Sequence, residues 1–178
     1  MFRIIVSDTT AIIHLSKINA LDLLNALYSE ILIPQAVYDE LTKLGKTQPG
    51  AMQVMNASWI KVVSIANPVV VEKLRARLDL GESEAIALAL EKNADVLIID
   101  EAIGRAVAEK LVNKIIGMVG ILLEAKKVGL IKLVKPYLTD LRATGFRMSD
   151  ELFQFSLKAA GELNDQGPPK DSHRKLLA

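Results

Sequence analysis

The sequence predicts an α/β protein, a three-layer sandwich with a parallel sheet between helices and extra helices at the C-terminus, on three observations. Two runs, Phe2 to Val6 and Val96 to Ile99, are largely apolar along their length, as strands buried on both faces are, and are too short to be helices. Strand-like and helix-like patterns alternate along most of the chain, which is the signature of a parallel sheet covered by helices. Each run leads into an aspartate, Asp8 or Asp100, at the strand end where open α/β sheets bind their ligands.

After the first strand, Thr10 to Lys17 and Leu21 to Tyr28 read as short helices, the second with apolar residues at 21, 23, 24 and 27. Ile31 to Ile33 is a short strand. Pro34 then takes the first helical position, where its missing N–H does no harm, and the helix runs through Leu41 toward Gly45. The segment LGKTQPGAM is a loop on its Gly and Pro content. A weaker strand over Trp59 to Ser64 precedes a helix opened by Pro68 and running to about Leu78. Gly81 leads into an alanine-rich helix from Glu82 to Lys92, followed by the strand Val96 to Ile99. A helix over Ala102 to Val112, a short strand over Lys114 to Ile116 and a helix over Val119 to Val128 closed by Gly129 complete the sandwich.

From Leu130 the character changes. Leu133 to Ala143 and Glu151 to Glu162 read as two further helices, the second capped by Ser149 and joined to the first by the turn TGFRM. They are expected to pack against the sheet edge or against another chain. The division is therefore a core domain over 1–130, a helical extension of it over 131–162, and a disordered tail over 163–178.

Composition narrows the chemistry. With 178 residues, 51% of them hydrophobic, the chain can bury a sizeable core in one domain. It has no cysteine, so disulfides, thiol nucleophiles and thiolate metal sites are excluded. Its only histidines are His14 and His173, which argues against a zinc site built on imidazole. The N-terminus does not read as a signal peptide, and no apolar stretch reaches the roughly 20 residues that span a bilayer. A soluble cytoplasmic protein is expected. Residues 1–100 carry 9 Lys and Arg against 12 Asp and Glu, and residues 101–178 carry 13 against 9. That mild asymmetry suits an acidic pocket beside a basic surface, although charged residues also serve as plain solvated helix faces.

Four acidic residues sit at element boundaries: Asp8, Glu40, Glu82 and Asp100. Clusters of carboxylate oxygens are what hard divalent cations require. Taken singly, Asp8 and Asp100 read equally well as N-caps of the helices that follow them.

These segments together resemble a known family. VSDTTAIIHLSKINALDLL, PQAVYDEL, GESEAIALALE, LIIDE and GILLEAKKVGLI, with its later GF turn, are similar to the PIN-domain proteins over residues 3 to 162. Within them they resemble VapC-like proteins with an extended C-terminus. The resemblance implies a PIN-like fold and a metal-dependent ribonuclease, often the toxin of a toxin–antitoxin pair, holding Mg2+ or Mn2+. It assigns catalytic and metal-binding roles to Asp8, Glu40, Glu82 and Asp100, with Thr10 as the hydroxyl residue beside the first acid. The family commonly has Asp at the third position, where this chain has the pair Glu82 and Glu84. Glu82 is ranked first because it stands 18 residues before Asp100. Two positions along a helix turn the side chain by about 200°, so Glu84 is set as a neighbour of the site or a carboxylate complementing the helix dipole. Glu101 is a first-turn helix acid that also neighbours the site. Asp39 is the solvated partner of Glu40.

Phosphodiester substrate needs cations. Arg105, on the helix after Asp100, is the leading phosphate contact, with Lys43 and Lys46 after Glu40 as further substrate-binding residues. Arg105 reads equally as a surface residue. His14, on an otherwise apolar helix, is read as having no partner, and Trp59 as packing. The expected partners are RNA, a small antitoxin protein that offers Arg or Lys to the carboxylates, and a second copy of the chain. The motive for a dimer is the apolar content of the extension, from Leu133 to Leu157. A catalytically weak PIN scaffold that binds nucleic acid or regulates is the alternative. A receiver-like phosphoacceptor is a second, and the ending SDTT of the first strand counts against it.

Overall fold

The computed structural model describes residues 3–43 and 47–163; Phe2, residues 44–46 with Lys46, and the tail beyond Leu163 lie outside the described residues. The chain runs β1 (Ile5–Ser7), α1 (Thr9–Lys17), α2 (Asp22–Tyr28), β2 (Ile31–Pro34), α3 (Gln35–Thr42), α4 (Ala51–Asn56), β3 (Ile60–Val63), α5 (Pro68–Leu74), α6 (Leu80–Glu91), β4 (Val96–Ile98), α7 (Ala102–Ala108), β5 (Ile115–Ile116), α8 (Met118–Lys127), α9 (Lys135–Ala143) and α10 (Asp150–Ala159). The strands form one parallel sheet in the order β3-β2-β1-β4-β5. This is the three-layer α/β sandwich with C-terminal helices that the alternating pattern predicts.

The pleat of the strands divides the core in two. Ile5, Val96 and Ile98 point into one cluster, and Val6, Leu97 and Ile99 into the other, as successive strand residues must. The first cluster is covered by α1, α2 and α8, the second by α6 with parts of α5 and α7. Helix α6 buries Ala85, Ile86, Ala87, Leu88 and Ala89, and its alanines let it lie close against both the sheet and α3. The half-buried Trp59 packs against the first cluster.

Chain direction matters most between β1 and β4. From β1 the chain builds outward through β2 to β3, then returns to the other side of β1 for β4 and β5. Helix α1 leaves onto one face and α7 onto the other, so a crevice opens beyond the carboxyl ends of β1 and β4.

Several boundaries differ from the sequence reading. Helix α6 starts at Leu80 rather than Glu82, because Asp79 caps it and accepts the Glu82 N–H at 2.8 Å. Pro34 closes β2 and stands just before α3, which begins at Gln35. The expected loop ends in the short helix α4, entered through Gly50 at φ +87, where a Cβ would meet Ile12 Cγ2 at 2.9 Å. Helix α7 stops at Ala108, four residues before the expected Val112, and α5 at Leu74, before the expected Leu78.

The extension packs on helices, and its Phe146 and Leu152 line a cavity with Ile115 and Ile116 of the edge strand β5. Leu138, Leu141 and Leu157 are buried in the first core cluster, where α9 meets α1 and α10 meets α8. Helix α10 ends at Ala159, and Gly161 at φ +68 turns the chain so that Glu162 reaches back to α9. Its carboxylate accepts the Val134 and Lys135 N–H groups at 2.5 and 2.8 Å and pairs with Lys126 Nζ at 2.7 Å. The carboxylate thus satisfies N–H groups that the start of α9 leaves without helical partners. Among the described residues no helix is long and apolar enough to cross a membrane.

Because Leu138 shares the core with α1, Leu138→Ala is expected to cost about 2–5 kcal/mol of the whole fold. Urea unfolding followed by far-UV circular dichroism and by Trp59 fluorescence should move together. A separate early transition in the circular dichroism alone would show that the extension melts by itself.

Candidate active site

Asp8 is the first residue past β1, and its N–H still bonds to Ile98 O at 3.1 Å, continuing the pairing with β4. Its side chain caps α1, with Oδ1 accepting the Ala11 N–H at 3.0 Å. The residue is only 1% exposed, and Oδ2 is buried with no hydrogen-bond partner. Asp8 is therefore an N-cap and an under-satisfied carboxyl at once. One oxygen serves the helix and the other is left over.

Asp100 stands at the end of β4 across the switch point. It does not cap the helix after it: Glu101 occupies the N-cap of α7, without a side-chain cap bond. Asp100 Oδ2 instead accepts the Met118 N–H at 2.8 Å, from the first residue of α8. Arg105 stands beside it but donates its Nη1 to Ile99 O at 2.9 Å. The guanidinium is thereby fixed at the strand end, with further donors left over.

Glu82 lies in the first turn of α6, 9% exposed, with Oε1 buried and without a partner. Glu84 turns elsewhere, and its carboxylate accepts the Ala36 N–H at 3.0 Å at the start of α3. Glu40, half-buried, accepts a short hydrogen bond from the Thr9 hydroxyl. Thr9, rather than Thr10, therefore ties α1 to α3; Thr10 lines a cavity with His14 and Asp100. Asp39 is exposed and bonded to Gln35. Lys43 is exposed at the end of α3, and Lys46 lies outside the described residues.

Three glycines make room for three of these carboxylates. A Cβ at Gly81 would meet Glu40 Oε2 at 2.7 Å, one at Gly117 would meet Asp100 Oδ1 at 2.5 Å, and one at Gly104 would press into Glu82. Nothing in the local pattern of the sequence pairs these residues. The glycine spacing gains meaning only when α3, α6, α7 and α8 converge.

The electrostatics follow from burial. Asp8 is pushed up from 3.8 to about 8, chiefly by desolvation and then by the charges of Asp100 and Glu82, against the N–H groups of Ala11 and Asp100. Asp100 is raised to about 6 by burial, against the Met118 N–H and Arg105. Glu82 is raised by burial and then by Asp79, with Glu101 and Glu40 adding to it. Carboxyls that raise one another in this way repel when ionised. Among the described residues no three such groups meet closely enough to hold one ion as they stand. The donor set nevertheless suits a hard divalent cation: it is all oxygen, and two of its buried oxygens, Asp8 Oδ2 and Glu82 Oε1, have no other partner.

His14 departs from its reading. It is half-buried, meets Phe146 edge-on at 5.1 Å between ring centroids, and lines the cavity beside Asp100. Phe146 and Arg147, both from the turn between α9 and α10, line the same cavity. No local sequence signal connects position 14 to position 146.

A parallel sheet with buried carboxylates at its switch point defines an α/β protein with a ligand crevice outside the carboxyl ends of β1 and β4. A family model described as a PIN domain matches residues 4–162, and the chain belongs to the PIN-domain family. No curated protein and no solved structure matches this chain. The PIN domain is a nuclease fold, and membership supports a nuclease-like function that engages nucleic acid.

Since the folded chain holds Asp8 and Asp100 protonated above 3.8, it binds protons that the unfolded chain releases. The contribution of these two carboxyls to metal-free stability is full below about pH 4 and is lost as pH climbs through about 6 and then about 8. Melting in EDTA across that range should show a falling midpoint, and Asp8→Asn should flatten the upper part. A wild-type midpoint that rises toward pH 8 would contradict the burial of this carboxyl.

Proposed function

We propose that the chain is a divalent-metal-dependent endoribonuclease of the VapC-like kind, the toxin of a toxin–antitoxin pair. The observation that carries this reading is the pair of buried, partnerless carboxylate oxygens on Asp8 and Glu82, beside Asp100, at the sheet's switch point. Buried anions without cationic partners are costly, and a bound cation removes that cost.

In this reading Asp8, Glu82 and Asp100, with Glu40 at the margin, hold Mg2+ or Mn2+. Such an ion, when bound, lowers the pKa of a water and stabilises charge on the phosphate and the departing oxygen. The chain's own groups prepare the site for it. The Met118 N–H fixes the Asp100 carboxylate, and the Thr9 hydroxyl fixes Glu40. Arg105, anchored on Ile99 O, offers its remaining donors to a phosphate oxygen. Glu84 supports the start of α3 and so the placement of Glu40. Thr10 and Glu101 border the substrate side, and Lys43 offers a more distant charge.

The toxin role, an antitoxin partner and a homodimer are supported by the family resemblance. Leu133, Leu152 and Phe155 remain exposed on the extension, Phe155 at 65%, which supports an interface there. Two observations favour the second reading, a catalytically weak module that binds nucleic acid: the carboxylates stand apart, and Glu40 is already held by Thr9.

Purified protein is expected to cleave single-stranded RNA with Mn2+ or Mg2+ and to stop in EDTA. Asp8→Asn, Asp100→Asn and Glu82→Gln should each lower kcat/KM by at least about 100-fold, since even outer partners of metal ligands cost 10–100-fold. Glu84→Gln should cost much less. Cleavage that survives EDTA would sink the metal mechanism, and RNA binding without cleavage would select the second reading.

Gly117→Ala gives an independent check on the site's geometry. It leaves every carboxylate in place chemically but pushes Asp100 and Arg105 aside, and displacements of this size cost about 100-fold in rate. Activity should fall while the melting temperature changes little. Full activity in this variant would remove Asp100 from the site.

A further inference from the structure

Two cavities open beside Asp100 and share a wall. One, of about 510 Å3, is lined by Thr10, His14 and Glu101. The other, of about 630 Å3, runs past Arg105, Gly117 and Leu152. Asp100, Ala102, Phe146 and Arg147 line both. The last two come from the C-terminal extension, so the extension completes the surroundings of the carboxylate.

We infer that the turn between α9 and α10 is a nucleotide-binding wall for single-stranded RNA, with Arg147 holding a backbone phosphate and Phe146 with His14 receiving the adjoining base. The inference rests on the ribonuclease reading and deepens it by assigning the substrate contacts.

Charge is the first argument. The carboxylates around Asp100 repel a polyanion, and a strand can lie across them only where cations meet its phosphates. Arg105 gives one donor to Ile99 O and keeps others for a phosphate beside Asp100, while Arg142 is committed to Met148 O, Ser149 O, Asp150 and the Phe153 ring. Arg147 is exposed, borders both cavities, and has no ion pair or hydrogen bond from its guanidinium among the described residues. It is free to meet a phosphate, for which a planar fork of donors is well matched.

Preorganisation is the second. Gly145 sits at φ +87, and the Phe146 N–H bonds to Leu141 O at 3.1 Å. On the far side Arg142 Nη2 grips Ser149 O at 2.8 Å and Asp150 at 2.9 Å, with its guanidinium 4.3 Å over the Phe153 ring. A turn tied at both ends loses little freedom when a ligand arrives.

The third argument is the chemistry of the smaller cavity. It is lined by the Phe146 ring and the His14 imidazole, which meet edge-on at 5.1 Å between centroids. Aromatic side chains are what an unstacked base stacks on. Both cavities fall in the volume range of small-ligand sites, which suits one splayed nucleotide on each side of Asp100. A duplex, with its bases stacked inside, could not use them.

The test uses the full chain and a labelled single-stranded RNA, with anisotropy in Ca2+ at several salt concentrations and cleavage in Mn2+. Arg147→Ala should raise Kd and KM about tenfold with kcat little changed, and should reduce the slope of log Kd against log salt by about 0.7, the loss of one phosphate contact. Arg147→Lys should restore the slope. Phe146→Ala should weaken binding of the single strand with its salt slope retained, and thermal melts would show that both variants fold. If the wild type binds or cleaves RNA and Arg147→Ala matches it in Kd, KM and slope, the wall is overturned and the ribonuclease reading stands. Duplex RNA bound as tightly as the single strand would also overturn it. If the wild type neither binds nor cleaves any RNA, the ribonuclease reading fails, and the wall with it.

Discussion

The burial of Asp8 at the end of the central strand pair is the constraint around which the rest of the chain is arranged. Its N–H belongs to the β1–β4 pairing, its Oδ1 to the start of α1, and its Oδ2 to nothing in the fold. A carboxyl in that position cannot ionise cheaply, which is why it is raised to about 8. The strand order makes the situation unavoidable. Once β4 returns beside β1, the residues following both strands come together, and both are aspartates or lie next to one.

The surrounding helices respond to that constraint by giving space rather than countercharge. Gly81, Gly104 and Gly117 stand where side chains would collide with Glu40, Glu82 and Asp100. Helix α6, with Gly81, Ser83, Ala85, Ala87 and Ala89 among its buried residues, presses close enough to the sheet for Glu82 to reach the same region. Arg105 is the cation that acts directly on Asp100, offsetting part of the effect of burial while it donates to Ile99 O. The arrangement stores repulsion that protons or a cation relieve.

The extension has two relations to this centre. Through Leu138, Leu141 and Leu157 it belongs to the first core, and through Glu162 and Lys126 it is fastened to α8. Its turn meanwhile reaches the crevice, where Phe146 touches His14. Apolar residues that suggest an interface when read along the chain are thus mostly used inside it. Leu133, Leu152 and Phe155 are what remain outside.

Strand positions and the aspartates that follow them were legible in the sequence because they depend on short-range regularities: an apolar run too short for a helix, a turn, an acid. The alanine-rich helix was legible too, but its start was placed two residues late, although Asp79 and Glu82 have the spacing of a capping pair. Helix α4, six residues with two buried, carries too little periodicity to be seen. The order of elements, the α/β class and the carboxyl-end location of Asp8 and Asp100 were therefore determined by the sequence alone, since each follows from neighbours in the chain. Only the tertiary structure decided that Glu84 serves α3, that Asp100 is held by α8, that Thr9 holds Glu40, and that His14 meets Phe146. Those pairs are separated by 18 to 132 residues, and no periodicity spans such a distance. They exist because a parallel sheet with a switch point brings together helix ends that the chain keeps apart.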